Sequence, residues 1–119
     1  MLDLIKKEIR RLIAAFGYSL EGIKAAMSES AFRLEVIISI IAIPTACAIA
    51  VNGTDRALLI GSLFLVMITE LLNTGIETAI NRISTEIHPL SKKAKDIASG
   101  AVLLSIINAF IIWLVVLWN

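Results

Sequence analysis

The chain has 119 residues, a formal net charge of +1 and a single cysteine. This length allows one domain, and 58% of the residues are hydrophobic, more than the ~45–50% of a typical soluble domain. A soluble protein this small has too little interior to bury so much apolar surface, so the composition predicts an integral membrane protein. The lone cysteine excludes a disulfide framework within the chain. The net charge by itself says nothing about partners, and no nucleic-acid partner is expected.

The N-terminal segment, residues 1–28, predicts an amphipathic helix. Its apolar residues recur at helical spacing, and four basic residues lie largely on the opposite face: Lys6, Lys7, Arg10 and Arg11. A helix with a basic face and an apolar face suits the surface of an anionic membrane. Gly17 is expected to break or bend it.

Three apolar segments follow, and each predicts a membrane-spanning helix, at about residues 31–51, 57–82 and 97–118. Pro44 is expected to kink the first span without ending it. A turn is predicted at 52–55, and a polar loop at 84–95 with Pro89 as a helix breaker. The predicted fold is therefore an all-α membrane protein, with residues 1–119 forming a single domain of three spans and a surface helix.

The distribution of basic residues predicts the orientation of these spans. Six lysines or arginines lie before the first span or in its first turn, and one (Arg56) separates the first two spans. Four lie between the second and third spans or at the last residue of the second, and none follows the third. The positive-inside rule therefore places the N-terminus and the 84–95 loop in the cytoplasm and the C-terminus on the outer side.

The second span carries two acidic residues, Glu70 and Glu77, on one face. They are seven residues apart, so they point within about 20° of each other on a helix, and Glu70 lies about 10 Å deeper in the membrane. Asn73, Thr74 and Asn81 fall near the same stripe. A carboxylate inside a span costs at least ~2.5 kcal/mol, so this face is expected to contact protein, water, a metal or a ligand.

The cytoplasmic helix ends are predicted to bring further polar residues to the level of Glu77: Glu29, Glu86, His88, Lys95 and Asp96. Two carboxylates can hold Mg²⁺, and a nearby lysine can neutralise phosphoryl oxygens. Glu70, lying deeper, can accept a proton from an alcohol that arrives through the lipid. We therefore expect a nucleotide from water and a lipid alcohol to meet along this face.

Other interpretations fit the same residues. A polar seam between helices, a proton-coupled transporter and a non-catalytic assembly subunit all place acidic residues inside a membrane. The sequence has neither the glycine-rich phosphate loop of P-loop proteins nor the motif set of protein kinases. Residue spacing and burial cost alone thus indicate a membrane protein with a functional polar site.

The motifs are more specific than the spacing. The segment 70–77, ELLNTGIE, resembles the E-x-x-N-x-x-x-E signature of the bacterial diacylglycerol kinase family. The segment 94–102, AKDIASGAV, resembles the family's A-K-D-x-x-S-A-A-V, and 17–19 and 31–35 match as well. The resemblance runs nearly from end to end. It implies a homotrimeric helical bundle in the bacterial inner membrane whose sites are shared between subunits, and which transfers the γ-phosphate of MgATP to diacylglycerol to form phosphatidic acid.

The resemblance also implies a role for each matching residue. Glu70 corresponds to the general base, Asn73 to a residue that orients the reacting groups, and Glu29 and Glu77 to the Mg²⁺-binding pair. The nucleotide-contacting positions are Arg11, Tyr18, Glu29, Glu77, Glu86, Ile87, His88, Lys95 and Asp96. The positions that line the lipid substrate are Arg11, Ser19, Ala31, Phe32, Arg33, Leu34, Glu35, Arg56, Glu70, Ser99 and Trp113.

A related branch of the family phosphorylates undecaprenol and shares these core motifs. The segment 31–35, AFRLE, favours the diacylglycerol branch. The chain departs from the family pattern at Leu20, where tryptophan is common, at Asn81, where aspartate is frequent, and at Pro89, where an acidic residue is usual. These differences concern substrate contacts rather than the phosphoryl transfer itself.

Overall fold

The computed structural model describes residues 1–118, which form four helices: α1 (Leu2–Ala26), α2 (Ser30–Ile49), α3 (Gly53–Ile83) and α4 (Pro89–Trp118). Helices α2, α3 and α4 are each long and apolar enough to cross a membrane. The predicted all-helical architecture with three spans is confirmed. The protein is therefore a multi-pass membrane protein.

Helix α1 is continuous, so the predicted break at Gly17 is wrong. One glycine inside a helix costs about 1 kcal/mol relative to alanine, which a helix of this length absorbs. Of the residues in α1, Ala26 is the one that becomes buried, where the chain turns into α2. Both the apolar and the basic face of α1 are thus exposed, as expected for a helix that lies on a surface.

Helices α3 and α4 both begin earlier than the sequence predicts. The side chain of Asn52 accepts a hydrogen bond from the Asp55 amide at 2.9 Å and starts α3 at Gly53, inside the predicted turn. Pro89 begins α4 instead of breaking it, because the first turn of a helix does not need the N–H that proline lacks. The predicted 84–95 loop is correspondingly shorter, and Lys95 lies on a helix.

Helices α3 and α4 form an antiparallel pair that is joined by side-chain hydrogen bonds at three levels. The pairs are Lys95 with Asn81 at 2.7 Å, Thr69 with Ser105 at 2.8 Å, and Trp113 with Ser62 at 3.2 Å. The 19-residue step along α3 from Asn81 to Ser62 spans about 28 Å, close to the thickness of a bilayer's hydrocarbon core. The outer two pairs therefore mark the two ends of the membrane-spanning region.

Helix α2 packs against α3 and buries Phe32, Ser39 and Ala46. It continues through Pro44, as predicted for a membrane helix. Near each end of α2, an arginine side chain donates hydrogen bonds to backbone carbonyl oxygens. Arg33 donates to the carbonyl oxygens of Met27 and Ser28 at 3.3 and 3.1 Å, and Arg56 donates to the Cys47 carbonyl at 3.5 Å.

The outward faces of the spans are apolar and exposed. Ile40 on α2, and Leu104 and Phe110 on α4, each expose about two-thirds of their surface. In a monomeric soluble protein such a surface would be an unusually large apolar patch. In a bilayer it contacts lipid tails or another apolar helix at no such cost.

Candidate active site

Glu70 is the polar end of a buried stripe on α3. Leu59, Ser62, Val66 and Glu70 are the buried residues of this helix, and they recur at the three- and four-residue spacing of one helix face. Glu70 itself is only 8% exposed. The face that carries Glu70 thus packs inside the helical bundle and not against lipid, as the insertion cost predicts.

A second carboxyl group, that of Glu35 on α2, faces Glu70. Its Oε2 atom is buried and has no hydrogen-bond partner among the residues that the structure describes. An unpartnered oxygen of this kind is costly in an apolar environment unless a ligand donates to it. The paired carboxyls of Glu35 and Glu70 can therefore share one proton or accept a hydrogen bond from a hydroxyl group.

An apolar groove of about 460 Å³ opens beside this carboxyl pair. Helices α2, α3 and α4 all contribute to its lining: Leu34, Glu35, Ile38, Ser39, Ala42, Leu63, Val66, Ile106, Ala109, Phe110 and Trp113. Glu35 is its one ionisable lining residue. A groove with a carboxyl group at one end and hydrocarbon along the rest suits an amphiphilic molecule with a hydroxyl head.

The edge of the α3–α4 pair that contains Asn81 and Lys95 carries two lysines, and each contacts a polar side chain. Lys95 donates to Asn81 Oδ1 at 2.7 Å, and Lys92 forms an ion pair with Asp96 Oδ2 at 2.6 Å. Lys92, Asp96 and Asn81 are exposed, and Lys95 is half-buried. Lys95 is therefore fixed between two helices with an uncancelled positive charge, since its partner is a neutral amide.

The predicted metal pair, Glu29 and Glu77, consists of exposed carboxylates. Glu29 is the N-cap residue of α2, and its side chain makes no capping hydrogen bond. Within residues 1–118 there is no cluster of three or more histidine, cysteine or acidic side chains that could hold a metal. Two exposed carboxylates nonetheless fit Mg²⁺, which keeps several waters and takes its remaining ligands from phosphate.

The other predicted nucleotide positions are all exposed. Arg11 and Tyr18 lie on α1, and the structure holds Arg11 only against Glu8, at 3.6 Å. Glu86 and Ile87 lie in the short α3–α4 connection. His88 precedes α4, and its Nδ1 accepts the Leu90 amide at 3.1 Å. These positions are therefore open to solvent and accessible to a ligand.

The predicted lipid-contacting residues fall into three groups. Leu34, Glu35 and Trp113 line the groove, and Glu70 lies against the Glu35 carboxyl without lining the groove. Arg33 and Arg56 are bonded to backbone carbonyls at the ends of α2, and Phe32, 3% exposed, is a core residue. The remainder are exposed residues outside the groove lining: Arg11, Ser19, Ala31 and Ser99.

Among the polar residues that the sequence analysis missed are Ser39, Ser62, Thr69 and Ser105, which the bundle buries or half-buries. Ser62 and Ser105 each donate to the carbonyl three residues earlier and contact the facing helix. A serine inside an apolar span is a weak signal, because the hydroxyl can bond to its own helix. The helical spacing between Ser62 and Glu70 along α3 is the sequence pattern that could have identified this serine.

Comparison with known families identifies the family of this chain. The model of a family described as "Prokaryotic diacylglycerol kinase" matches residues 17–117. The chain belongs to this family. Its matched region includes the carboxyl pair, the groove and the Lys95–Asn81 contact.

Individual relatives are similar over most of their length. The diacylglycerol kinase of Escherichia coli (strain K12) is 47% identical over 110 residues, which are 92% of this chain and 90% of the relative. That of Pseudomonas aeruginosa is 41% identical over 110 residues, 92% of this chain and 89% of the relative. That of Helicobacter pylori (strain 26695) is 44% identical over 108 residues, 90% of this chain and 84% of the relative.

Family membership decides between the enzyme, transporter and assembly-subunit interpretations that the residue pattern left open. The protein is an enzyme of the diacylglycerol kinase class, a lipid kinase that uses ATP. The transporter and assembly-subunit interpretations are not favoured.

Proposed function

We propose that this protein transfers the γ-phosphate of MgATP to the free hydroxyl of 1,2-diacylglycerol, giving phosphatidic acid in phospholipid recycling. The observation that carries the proposal is the Glu35–Glu70 carboxyl pair at the head of an apolar groove. The two acyl chains of the substrate have apolar surface to contact, and its hydroxyl would reach the Glu35 Oε2 atom, which lacks a protein donor.

Glu70 is the proposed general base. A carboxylate in this position can accept the hydroxyl proton as the alcohol oxygen attacks the γ-phosphorus, which breaks the bond to the ADP leaving group. Asn73, half-buried one turn along α3, is proposed to orient the reacting groups. Glu35 is proposed to hold the hydroxyl group through its buried, unpartnered oxygen.

The nucleotide is proposed to bind at the Lys95 edge of the α3–α4 pair, with its phosphates directed along α3 toward Glu70. Lys95 can neutralise phosphoryl oxygens, because its hydrogen bond to Asn81 leaves its charge intact. Glu29 and Glu77 are proposed to hold Mg²⁺, which when bound supplies charge neutralisation to the triphosphate. Asp96 and the 86–88 segment complete the proposed nucleotide site.

A homotrimer with shared sites is proposed for the assembly. In one chain, the proposed nucleotide contacts Arg11 and Tyr18 are exposed on α1, so they are accessible to a nucleotide bound by a neighbouring copy. The exposed apolar faces of α2 and α4 provide surface for helices of a second copy. A neighbouring subunit would thus supply the α1 part of each site.

The proposed location is the bacterial inner membrane, with the N-terminus in the cytoplasm and the C-terminus on the outer side. Ten basic residues lie on the N-terminal and α3–α4 sides of the spans and one lies on the other. This orientation gives the Lys95 edge access to cytoplasmic ATP. It places the groove within the lipid phase.

The experiment that tests the proposal offers purified protein radiolabelled ATP and two lipid alcohols in parallel mixed micelles, diacylglycerol and undecaprenol. We expect Mg²⁺-dependent labelling of diacylglycerol with a kcat/KM well above that for undecaprenol. Faster labelling of undecaprenol would assign the chain to the polyprenol branch. Labelling of neither lipid would refute the proposed reaction.

A further inference from the structure

Ser62 is a buried serine whose hydroxyl both donates and accepts a hydrogen bond. It is 3% exposed, donates to the Leu59 carbonyl at 2.8 Å and accepts from Trp113 Nε1 at 3.2 Å. The second contact joins α3 to α4. No role for Ser62 follows from the family motifs or from the insertion cost of charged residues.

The contact determines where the Trp113 ring lies. An indole N–H inside an apolar environment needs an acceptor, and Ser62 Oγ is the acceptor that the structure supplies. Trp113 is half-buried and lines the groove that begins at Glu35. A ring tied at its nitrogen keeps one orientation, so the groove wall that it forms has a fixed position.

Trp113 lies at the end of the groove away from the carboxyl pair. On α4 the lining residues run from Ile106 to Trp113 toward the C-terminus. On α3, Ser62 precedes Glu70 by eight residues, about 12 Å along the helix axis. An amphiphile whose hydroxyl is held at Glu35 and Glu70 would therefore direct an acyl chain toward the Trp113 ring.

We propose that Ser62 is a positioning residue that holds the Trp113 indole across the far end of the groove and so sets the acyl-chain length that the enzyme prefers. This inference rests on the proposed function. The occupant of the groove is one acyl chain of the diacylglycerol substrate. The apolar lining and the carboxyl head of the groove together match the two ends of that molecule.

Removing the Ser62 hydroxyl leaves the indole N–H without an acceptor, so the ring gains freedom to turn and the end of the groove opens. We expect Ser62→Ala to raise the ratio of kcat/KM for dioleoylglycerol over dioctanoylglycerol by about tenfold, within the range by which apolar pockets discriminate chain length. The change should appear mainly in KM for the lipid. Ser62→Thr keeps a hydroxyl and should retain the wild-type ratio.

Ser105→Ala is the matched control. Ser105 is also buried, also donates to the carbonyl three residues earlier and also joins α3 to α4, through Thr69, but it does not line the groove. A general loosening of the helix pair would move the selectivity of both variants equally. If Trp113 sets the chain-length preference, the ratio of kcat/KM for the two diacylglycerols changes in Ser62→Ala and stays at the wild-type value in Ser105→Ala.

Fluorescence supplies a readout that is independent of turnover. With Trp118 replaced by phenylalanine, Trp113 is the one remaining tryptophan. We expect Ser62→Ala to lower its anisotropy and shift its emission, and Ser105→Ala to leave both unchanged. If Ser62→Ala is active but keeps the wild-type acyl-chain ratio or the wild-type Trp113 spectrum, the inference is overturned. If the wild-type protein phosphorylates neither lipid, the proposed function itself is refuted.

Discussion

Lys95 on α4 donates a hydrogen bond to the amide oxygen of Asn81 on α3, and the two atoms are 2.7 Å apart. The bond joins the helix ends at the edge proposed to bind nucleotide. A neutral acceptor fixes the lysine without neutralising it, so the positive charge stays available to a phosphate. If the nucleotide binds as proposed, Asn81 positions Lys95 to contact its phosphates.

Asn81→Ala is expected to raise KM for MgATP by up to about tenfold, because a hydrogen bond to a charged group contributes about 1.5 kcal/mol. The rate at saturating ATP should change less. Asn81→Gln keeps a neutral amide acceptor for Lys95 and should lie closer to wild type than Asn81→Ala. Asn108→Ala, the same substitution in the middle of α4, serves as control; equal KM values for Asn81→Ala and wild type would exclude this role.

Glu77→Gln is expected to shift the Mg²⁺ dependence of the reaction. The amide keeps the shape of the side chain but removes its charge, and Mg²⁺ binds carboxylates far better than amides. A higher Mg²⁺ concentration for half-maximal rate, by about tenfold or more, is the expected result in a metal titration at fixed ATP. A titration that overlays the wild-type curve would remove Glu77 from the metal site.

Glu35→Gln is expected to raise stability and lower activity together. The substitution removes a carboxyl that is partly buried beside Glu70, and gives the pair an amide donor in place of two facing acceptors. The melting temperature in detergent should rise by a few degrees, while KM for diacylglycerol rises. A lower melting temperature would indicate that the Glu35 carboxyl stabilises the fold.

The sequence predicts the helical architecture well because the apolar segments are long and the charges are unevenly distributed. It also predicts the burial of Glu70, because a carboxylate inside a span must face something polar. The start of α4 was missed because Pro89 reads as a breaker in a polar segment, although proline fits a first turn. The facing of Glu35 and Glu70 depends on how α2 packs against α3, which residue spacing within one helix does not specify.

The proposed orientation predicts which loops a water-soluble thiol reagent reaches in intact cells. In a chain with Cys47 replaced by alanine, a cysteine at Thr54 should be labelled from outside, because the α2–α3 connection faces the outer side. A cysteine at Thr85 should be labelled only after the cells are opened. The reverse pattern would invert the positive-inside assignment.

Glu70→Gln provides the most direct test of the account, measured as the rate of radiolabelled phosphate transfer from ATP to diacylglycerol by purified protein. The amide cannot accept the hydroxyl proton, so kcat should fall by about 10²-fold or more, the usual contribution of a general base. Binding of a non-hydrolysable MgATP analogue should be preserved, and Glu21→Gln on exposed α1 should match wild type in both measurements. Near-normal kcat in Glu70→Gln would contradict the assignment of Glu70 as the base, and with it the central claim about this site.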